Sequence, residues 1–196
     1  MSTHPATGPQ TELASAAASN MLLAVKLAIL SEVMLFAALF AAYFVVRAES
    51  PGWPPLRGIE RPEVLLPALN TLLLVSSSVT MQWAVRTARV GDRSRLLRWL
   101  GLTLLLGGVF LAIQGYEFAT NGFGLSNGIF GSTFYILTGF HGAHVLAGVV
   151  LIGIIANRAR RGLVTAEHHT AVEATSYYWH FVDVVWLFLF STLYLL

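Results

Sequence analysis

Long apolar stretches separated by short polar connections dominate the chain after its first 20 residues. A helix needs about 20 apolar residues to cross roughly 30 Å of hydrocarbon, and five stretches reach that length. The predicted spans are residues 21–46, 64–85, 96–118, 129–157 and 173–195. Since a helix closes its own backbone hydrogen bonds, the pattern predicts an all-α, polytopic membrane bundle of five transmembrane helices.

The first 20 residues lack such a stretch. They are rich in Ala, Ser and Thr and contain neither Lys nor Arg. A secretory signal peptide starts with a positively charged region, which this segment does not have. We therefore interpret residues 1–20 as a disordered, uncleaved tail and residues 21–196 as a single membrane domain.

The composition agrees with a membrane protein. Hydrophobic residues make up 56% of the 196 residues and charged residues only 11%, whereas soluble domains carry about 25% charged residues. The absence of cysteine excludes disulfides and thiolate metal sites. The small excess of positive charge is nearly all arginine in short connections, without the aromatic-interleaved basic stripe that a nucleic-acid partner would require.

Arginine placement predicts the orientation in the membrane. The second and fourth connections hold Arg86, Arg89, Arg93, Arg95, Arg98, Arg158, Arg160 and Arg161. The first connection holds three arginines and the third holds none. Because cytoplasmic loops are enriched in Lys and Arg, we expect the N-terminus inside and the C-terminus outside.

Several polar side chains are predicted at membrane depth, where they are costly unless they face protein, water or headgroups. They are Glu32, Gln114, Glu117, His141, His144, Glu173, His180 and Asp183. Those of the last three spans fall on one stripe of each helix, which is typical of helix interfaces in membranes. We interpret these seven as a structural polar network in which His180 and Asp183 satisfy each other. Glu32 is either a hydrogen-bonded carboxyl or a group that relays protons or touches lipid.

Two further hypotheses concern binding sites for metals and for lipid headgroups. The histidines of the fourth and fifth spans could hold a metal or haem, but zinc takes three or four protein ligands, and c-type haem attachment needs cysteine. We predict no metal site and no catalytic residue in this chain. The fourth connection is basic, and its candidates for phospholipid headgroups are Arg158, Arg161, His168 and His169.

A series of motifs carries a resemblance to a known family. Residues 177–190 read YYWHFVDVVWLFLF, and residues 131–134 and 138–148 read GSTF and TGFHGAHVLAG. The shorter motifs are Ser31-Glu32-Val33, Leu69-Asn70-Thr71, Gly91-Asp92-Arg93 and Gln114-Gly115-Tyr116-Glu117. In this order and spacing they resemble subunit III of cytochrome c oxidases, over essentially residues 21–196.

The resemblance implies a subunit without haem or copper, since those centres belong to subunits I and II. It implies subunit I as the main neighbour, subunit II and a small subunit IV as further ones, and a bacterial cytoplasmic membrane as the location. Phospholipid is expected in a V-shaped cleft between two groups of helices. The implied role is support of proton uptake by subunit I and protection against turnover-dependent inactivation, and Glu32 occupies the position of the family's membrane-buried carboxylate.

The chain resembles the five-helix bacterial form and lacks the first two helices of seven-helix members, so features on those helices are not transferred.

Three hypotheses remain open. The chain is subunit III of a cytochrome c oxidase, the corresponding subunit of a quinol oxidase or a nitric-oxide-reductase-associated homologue, or a stand-alone transporter. The first is favoured because the closing helix matches the cytochrome c oxidase form, while no inverted repeat typical of transporters is found.

Overall fold

The computed structural model describes residues 9–50, 53, 64–126 and 128–196. Its elements are α1 (Pro9–Glu49), α2 (Leu65–Arg89), α3 (Arg93–Thr120), α4 (Gly128–Arg160), α5 (Thr170–Phe190) and a π-helical turn (Ser191–Leu195). Each α-helix contains a stretch that is long and apolar enough to cross a membrane. The structure confirms the predicted all-α fold with five candidate spans, and the described residues include no β-strand.

The helices extend beyond the predicted spans, most of all in α1. Residues 9–20, predicted as part of a disordered tail, form the first turns of α1, which corrects that boundary. Residues 1–8 lie outside the described residues. Four alanines between positions 14 and 18 favour the extension, because alanine has the highest helix propensity. Hydropathy measures only the part of a helix that crosses hydrocarbon, so it does not detect such extensions.

The four helices α2 to α5 form a ring in which sequence neighbours pack together and α5 closes against α2. The first helix, α1, lies outside this ring and packs on α5 and α4. Large apolar side chains of α1, including Leu27, Leu30 and Met34, are exposed. In a membrane this face meets lipid or another subunit.

Two tryptophans of α5 connect it to α2 through hydroxyl groups. The indole N–H of Trp179 donates to Ser77 Oγ at 2.9 Å, and that of Trp186 donates to Thr71 Oγ1 at 2.9 Å. All four side chains are buried. Since an indole nitrogen is only a donor, one hydroxyl satisfies each tryptophan. The two bonds fix the antiparallel register of α5 against α2.

Trp179 also sets the distance of α5 from α3 and α4. A Cβ atom on Gly107 of α3 would lie 2.7 Å from Trp179 Cη2, and one on Gly148 of α4 would lie 2.7 Å from Trp179 Cε3. Both distances are well below van der Waals contact between carbon atoms. The indole ring therefore occupies the space that two glycines leave free, as small residues permit at membrane helix interfaces.

The attachment of α1 to α5 combines aromatic contacts with hydrogen bonds near the C-terminal ends of both helices. The ring pairs are Phe36–Phe181 and Phe40–Phe188, with centroids 6.2 and 6.4 Å apart. The hydroxyl of Tyr43 donates to the Thr192 carbonyl at 3.1 Å, and Arg47 donates to the Leu196 carbonyl at 2.9 Å. The C-terminal ends of α1 and α5 therefore lie on the same side of the bundle.

We expect Gly107→Ala to lower the free energy of unfolding by about 1–3 kcal/mol, the usual range for overpacking a dense core. The new methyl group would meet the fully buried Trp179. Gly108→Ala is the matched control, since a Cβ there meets nothing within 4 Å and alanine favours helix over glycine. The measurement is unfolding by SDS in mixed micelles. Equal stability of the two variants would contradict the role given to Trp179.

The orientation in the membrane is a separate prediction, made from the arginine distribution. A topology reporter fused after Leu196 should report the outside, and one inserted next to Asp92, between α2 and α3, should report the cytoplasm. A cytoplasmic signal from the Leu196 fusion would overturn either the number of spans or the orientation.

Candidate functional site

A carboxyl–imidazole pair forms the polar contact between α1 and α4. Glu32 Oε2 lies 3.0 Å from His144 Nε2, and the two side chains are 34% and 16% exposed. On the other side of the ring, His144 Nδ1 lies 2.7 Å from the carbonyl oxygen of Phe140. A carbonyl only accepts, so Nδ1 carries a hydrogen and donates it.

With a hydrogen on Nδ1 of His144, the contact between Nε2 and Glu32 requires one further proton. If the imidazole is neutral, Nε2 has no hydrogen and accepts one from a protonated Glu32; if Glu32 is ionised, the imidazolium of His144 donates through Nε2. One proton therefore lies between the two side chains in either form, and the pair as a whole is neutral. Such a pair can hold a proton, and pass it between two atoms, without leaving an isolated charge in hydrocarbon.

An apolar groove lies beside this pair on the surface of α4 and α5. It has a volume of about 580 Å³. Its lining residues are Ala143, Leu146, Ala147, Val150, Leu151 and Tyr178. The hydroxyl of Tyr178 donates to the backbone carbonyl of His144 at 3.1 Å, which anchors the polar end of this side chain next to the pair. The alkyl lining suits a hydrocarbon chain.

A second polar cluster joins α5 to α2. The Ser78 hydroxyl donates to Asp183 Oδ2, and it lies 2.8 Å from His180 Nδ1. A hydroxyl has one hydrogen, so His180 Nδ1 donates to Ser78 while Ser78 donates to Asp183. Ser78 thus bridges the two residues that the sequence pairs directly, which corrects that expectation. Their spacing on α5 could not reveal a partner 105 residues away from Asp183.

His141 has an aromatic environment rather than a polar one. Its ring stacks on Trp186 at 5.0 Å between centroids and meets Phe110 edge-on at 5.9 Å. The side chain is buried, and neither ring nitrogen has a hydrogen-bond partner within the described part of the chain. The same holds for the amide of Gln114. Both residues pack as parts of the core.

Glu117 of α3 is buried and Glu173 of α5 is half-buried, and the two lie near opposite ends of the bundle. Glu117 is hydrogen-bonded to Tyr194. Glu173 accepts from Arg89 Nε at 2.7 Å and lies 3.3 Å from His169 Nε2. The predicted polar residues therefore form separate local groups and not one continuous network. Sequence reasoning missed Tyr194 and Arg89 because neither partner is close to its glutamate along the chain.

The last turn of α4 and the connection that follows it carry the residues predicted to meet lipid headgroups. Arg158, Arg161 and His168 are exposed, and His169 is half-buried against Glu173. The pKa of the exposed Glu167 carboxyl lies below its ordinary value, mainly because of a backbone hydrogen bond. This carboxylate partly offsets the positive charge of the loop. The contact with headgroups stays a prediction.

The three intramembrane histidines have different partners. His144 pairs with Glu32, His180 with Ser78, and His141 stacks on an indole. Among the residues that the structure describes, no three His, Asp or Glu side chains come together as metal ligands. The arrangement supports proton holding and helix contacts.

We expect His144→Phe to destabilise the chain by about 1–2 kcal/mol, because it leaves Glu32 without its hydrogen bond in the membrane. The matched variant His141→Phe should change stability by less than about 0.5 kcal/mol, since it removes no hydrogen bond and keeps an aromatic ring against Trp186. Unfolding by SDS in mixed micelles measures both. The assigned environments would be contradicted if His141→Phe were the more damaging change.

Comparison with known proteins identifies a family. Residues 8–196 match the family model for cytochrome c oxidase subunit III. The chain is 42% identical to cytochrome c oxidase subunit 3 of Thermostichus vulcanus over 169 residues, which cover 86% of this chain and 83% of that protein. It is 45% identical to the probable cytochrome c oxidase subunit 3 of Nocardia farcinica over 168 residues, 84% of this chain and 82% of that one.

A plant relative is similar to this chain over a comparable length. Cytochrome c oxidase subunit 3 of Arabidopsis thaliana is 45% identical over 172 residues, which cover 85% of this chain and 64% of that protein. Five candidate spans and a family match over nearly the whole sequence lead to one conclusion. The chain is a multi-pass membrane protein that belongs to the cytochrome c oxidase subunit III family.

Proposed function

We propose that this chain is the non-catalytic, cofactor-free subunit III of a proton-pumping terminal oxidase that passes electrons from cytochrome c to oxygen. Haem and copper belong to subunits I and II. The chain supports proton uptake by subunit I, protects that subunit during turnover and binds phospholipid. Relatives named as cytochrome c oxidase subunit 3 support cytochrome c as the electron donor.

The observation that carries the proposal is the 3.0 Å contact between Glu32 Oε2 and His144 Nε2, with His144 Nδ1 bonded to the Phe140 carbonyl. Glu32 is one-third exposed on the lateral surface of the bundle, so a neighbouring subunit or a lipid can reach it. Intramembrane carboxyl and histidine groups are the usual elements of proton relays. The pair stays neutral while its proton moves between Glu32 and His144, so it holds a transferable proton without an isolated charge in the membrane. A proton passed to a neighbour has to be replaced by another, because the pair would otherwise keep one negative charge.

The groove beside the pair supports phospholipid binding. An acyl chain along α4 would contact Ala147 and Leu151. Arg158 follows Leu151 by seven residues, or about 10 Å at the helical rise. A phosphate at that height would meet Arg158, Arg161 and the histidines of the α4–α5 connection. Acyl chain and headgroup thus find complementary surfaces along a single helix.

The complex and its location follow from the same family relationship. Subunit I is the main partner, and subunit II and a small subunit IV complete the assembly in a bacterial cytoplasmic membrane. The exposed apolar face of α1, with Leu27, Leu30 and Met34, offers a surface for such contacts. Apolar helix faces that are exposed on a membrane protein are covered by lipid or by another protein.

Removal of the chain should leave oxygen reduction intact at first, because the redox centres lie in other subunits. The activity should then decay faster during turnover than in the complete oxidase, and the pH dependence of proton uptake should shift toward lower pH. The experiment is a time course of oxygen consumption at two pH values, with and without the chain. Immediate loss of activity would contradict the accessory role, and identical time courses would limit the chain to assembly.

Substitutions of Glu32 test whether the carboxyl group itself is needed, or only the presence of the subunit. Glu32→Ala should reproduce part of the deletion phenotype, whereas Glu32→Gln should be milder, because the amide still hydrogen-bonds His144. Glu49→Gln is the matched control: it removes a carboxyl from the exposed end of the same helix. Time courses with Glu32→Ala that match the complete oxidase would exclude a role for this carboxyl.

A further inference from the structure

A basic and aromatic face of α3 lies apart from the groove on α4 and α5. Arg95, Arg98, Trp99 and Leu102 line a surface cavity of about 320 Å³. Their i, i+3, i+4 and i+7 spacing places them on one side of the helix. Both arginines and Leu102 are exposed, and Trp99 is half-buried. The cavity therefore has a guanidinium end and an apolar end.

The positive charge of this face is only partly compensated. Arg95 pairs through Nε with Asp92 at 3.2 Å, and Asp92 also accepts the backbone N–H of Arg95 as the N-cap of α3. Arg98 forms no ion pair with any residue that the structure describes. Residues 92–98 contain three arginines and one aspartate and so carry a net charge of +2.

The depth of this face places its two ends in different parts of the bilayer. About 20 residues of α3 cross the hydrocarbon, so counting back from Phe118 puts the boundary near Arg98. Leu102 lies about 6 Å deeper. Trp99 contacts Trp83 of α2 with centroids 4.5 Å apart, and Trp83 is 40% exposed. Tryptophan is enriched at the membrane–water interface, which agrees with this depth.

We propose that this face of α3 binds one anionic phospholipid, with its phosphate at Arg95 and Arg98 and the first part of an acyl chain against Trp99 and Leu102. Guanidinium groups bind phosphate oxygens through two parallel N–H donors. A zwitterionic lipid lacks the net charge that the +2 segment attracts. An acidic protein segment would satisfy the arginines but not the apolar end, which lies below the headgroups. The favoured occupant is therefore a lipid.

The full chain is reconstituted in phosphatidylcholine bilayers, and tryptophan fluorescence is quenched by a small fraction of lipid that carries bromine near the glycerol end of its acyl chains. Trp179 and Trp186 are fully buried, so quenching at this side of the bundle reports Trp83 and Trp99. Trp53 is half-buried against Tyr43 and Phe130 at the other end of the bundle and adds a background that does not depend on the site. Trp99→Phe identifies the part of the signal that comes from the site. Brominated phosphatidylglycerol should quench more strongly than brominated phosphatidylcholine at the same fraction.

Two charge-matched double variants test where the preference arises. Arg95→Gln with Arg98→Gln should weaken the preference for phosphatidylglycerol about fivefold for each arginine removed. Arg86→Gln with Arg160→Gln removes the same charge from exposed positions on the same side of the bundle, outside both proposed lipid surfaces, and should keep the preference. Circular dichroism verifies that both variants fold, as expected for exposed side chains.

Three results would overturn the proposal. Equal quenching by both lipids in the unmodified chain would leave the face to a protein neighbour. Equal losses in the two double variants would indicate diffuse surface charge. Abolition of the preference by excess inorganic phosphate would indicate a free-phosphate site, because an acyl chain held by Trp99 and Leu102 should keep the lipid bound.

Discussion

The close approach of three helices around one indole ring is the constraint on which the bundle depends. In hydrocarbon, apolar helix surfaces gain little by leaving lipid, so dense packing and hydrogen bonds hold helices together. Trp179 provides both, because its ring fills the space beside Gly107 and Gly148 while its N–H donates to Ser77. One side chain thereby sets the spacing of α2, α3, α4 and α5.

The carboxyl–imidazole pair depends on this spacing. The docking surface of α1 is the seam between α4 and α5, since Phe36 contacts His144 on one helix at 5.0 Å and Phe181 on the other at 6.2 Å. A change in the distance between α4 and α5 would shift these contacts together. Glu32 would then lose the 3.0 Å geometry needed to share a proton with His144. Helix packing and proton chemistry are thus coupled through the position of α1.

Hydrophobic segment length predicted the number and type of helices, because the bilayer imposes one length on every span. It did not predict the start of α1, where alanine-rich sequence continues the helix beyond the apolar stretch. Side-chain environments were harder to predict than helix boundaries. His141 and His144 are three residues apart, yet one stacks on Trp186 and the other bonds Glu32, 112 residues away. Such partners are set by the packing of distant helices, which periodicity within a single helix cannot reveal.

The peripheral position of α1 has a consequence for biosynthesis. This helix is translated before α4, and His144, the partner of Glu32, follows 112 residues later. At ribosomal speeds of about 5–20 residues per second, the nascent helix waits on the order of ten seconds in the bilayer before its docking surface exists. During that interval the carboxyl has no imidazole beside it. Any insertion factor or early-joining subunit that shields Glu32 would therefore act on the growing chain, before the finished bundle has formed.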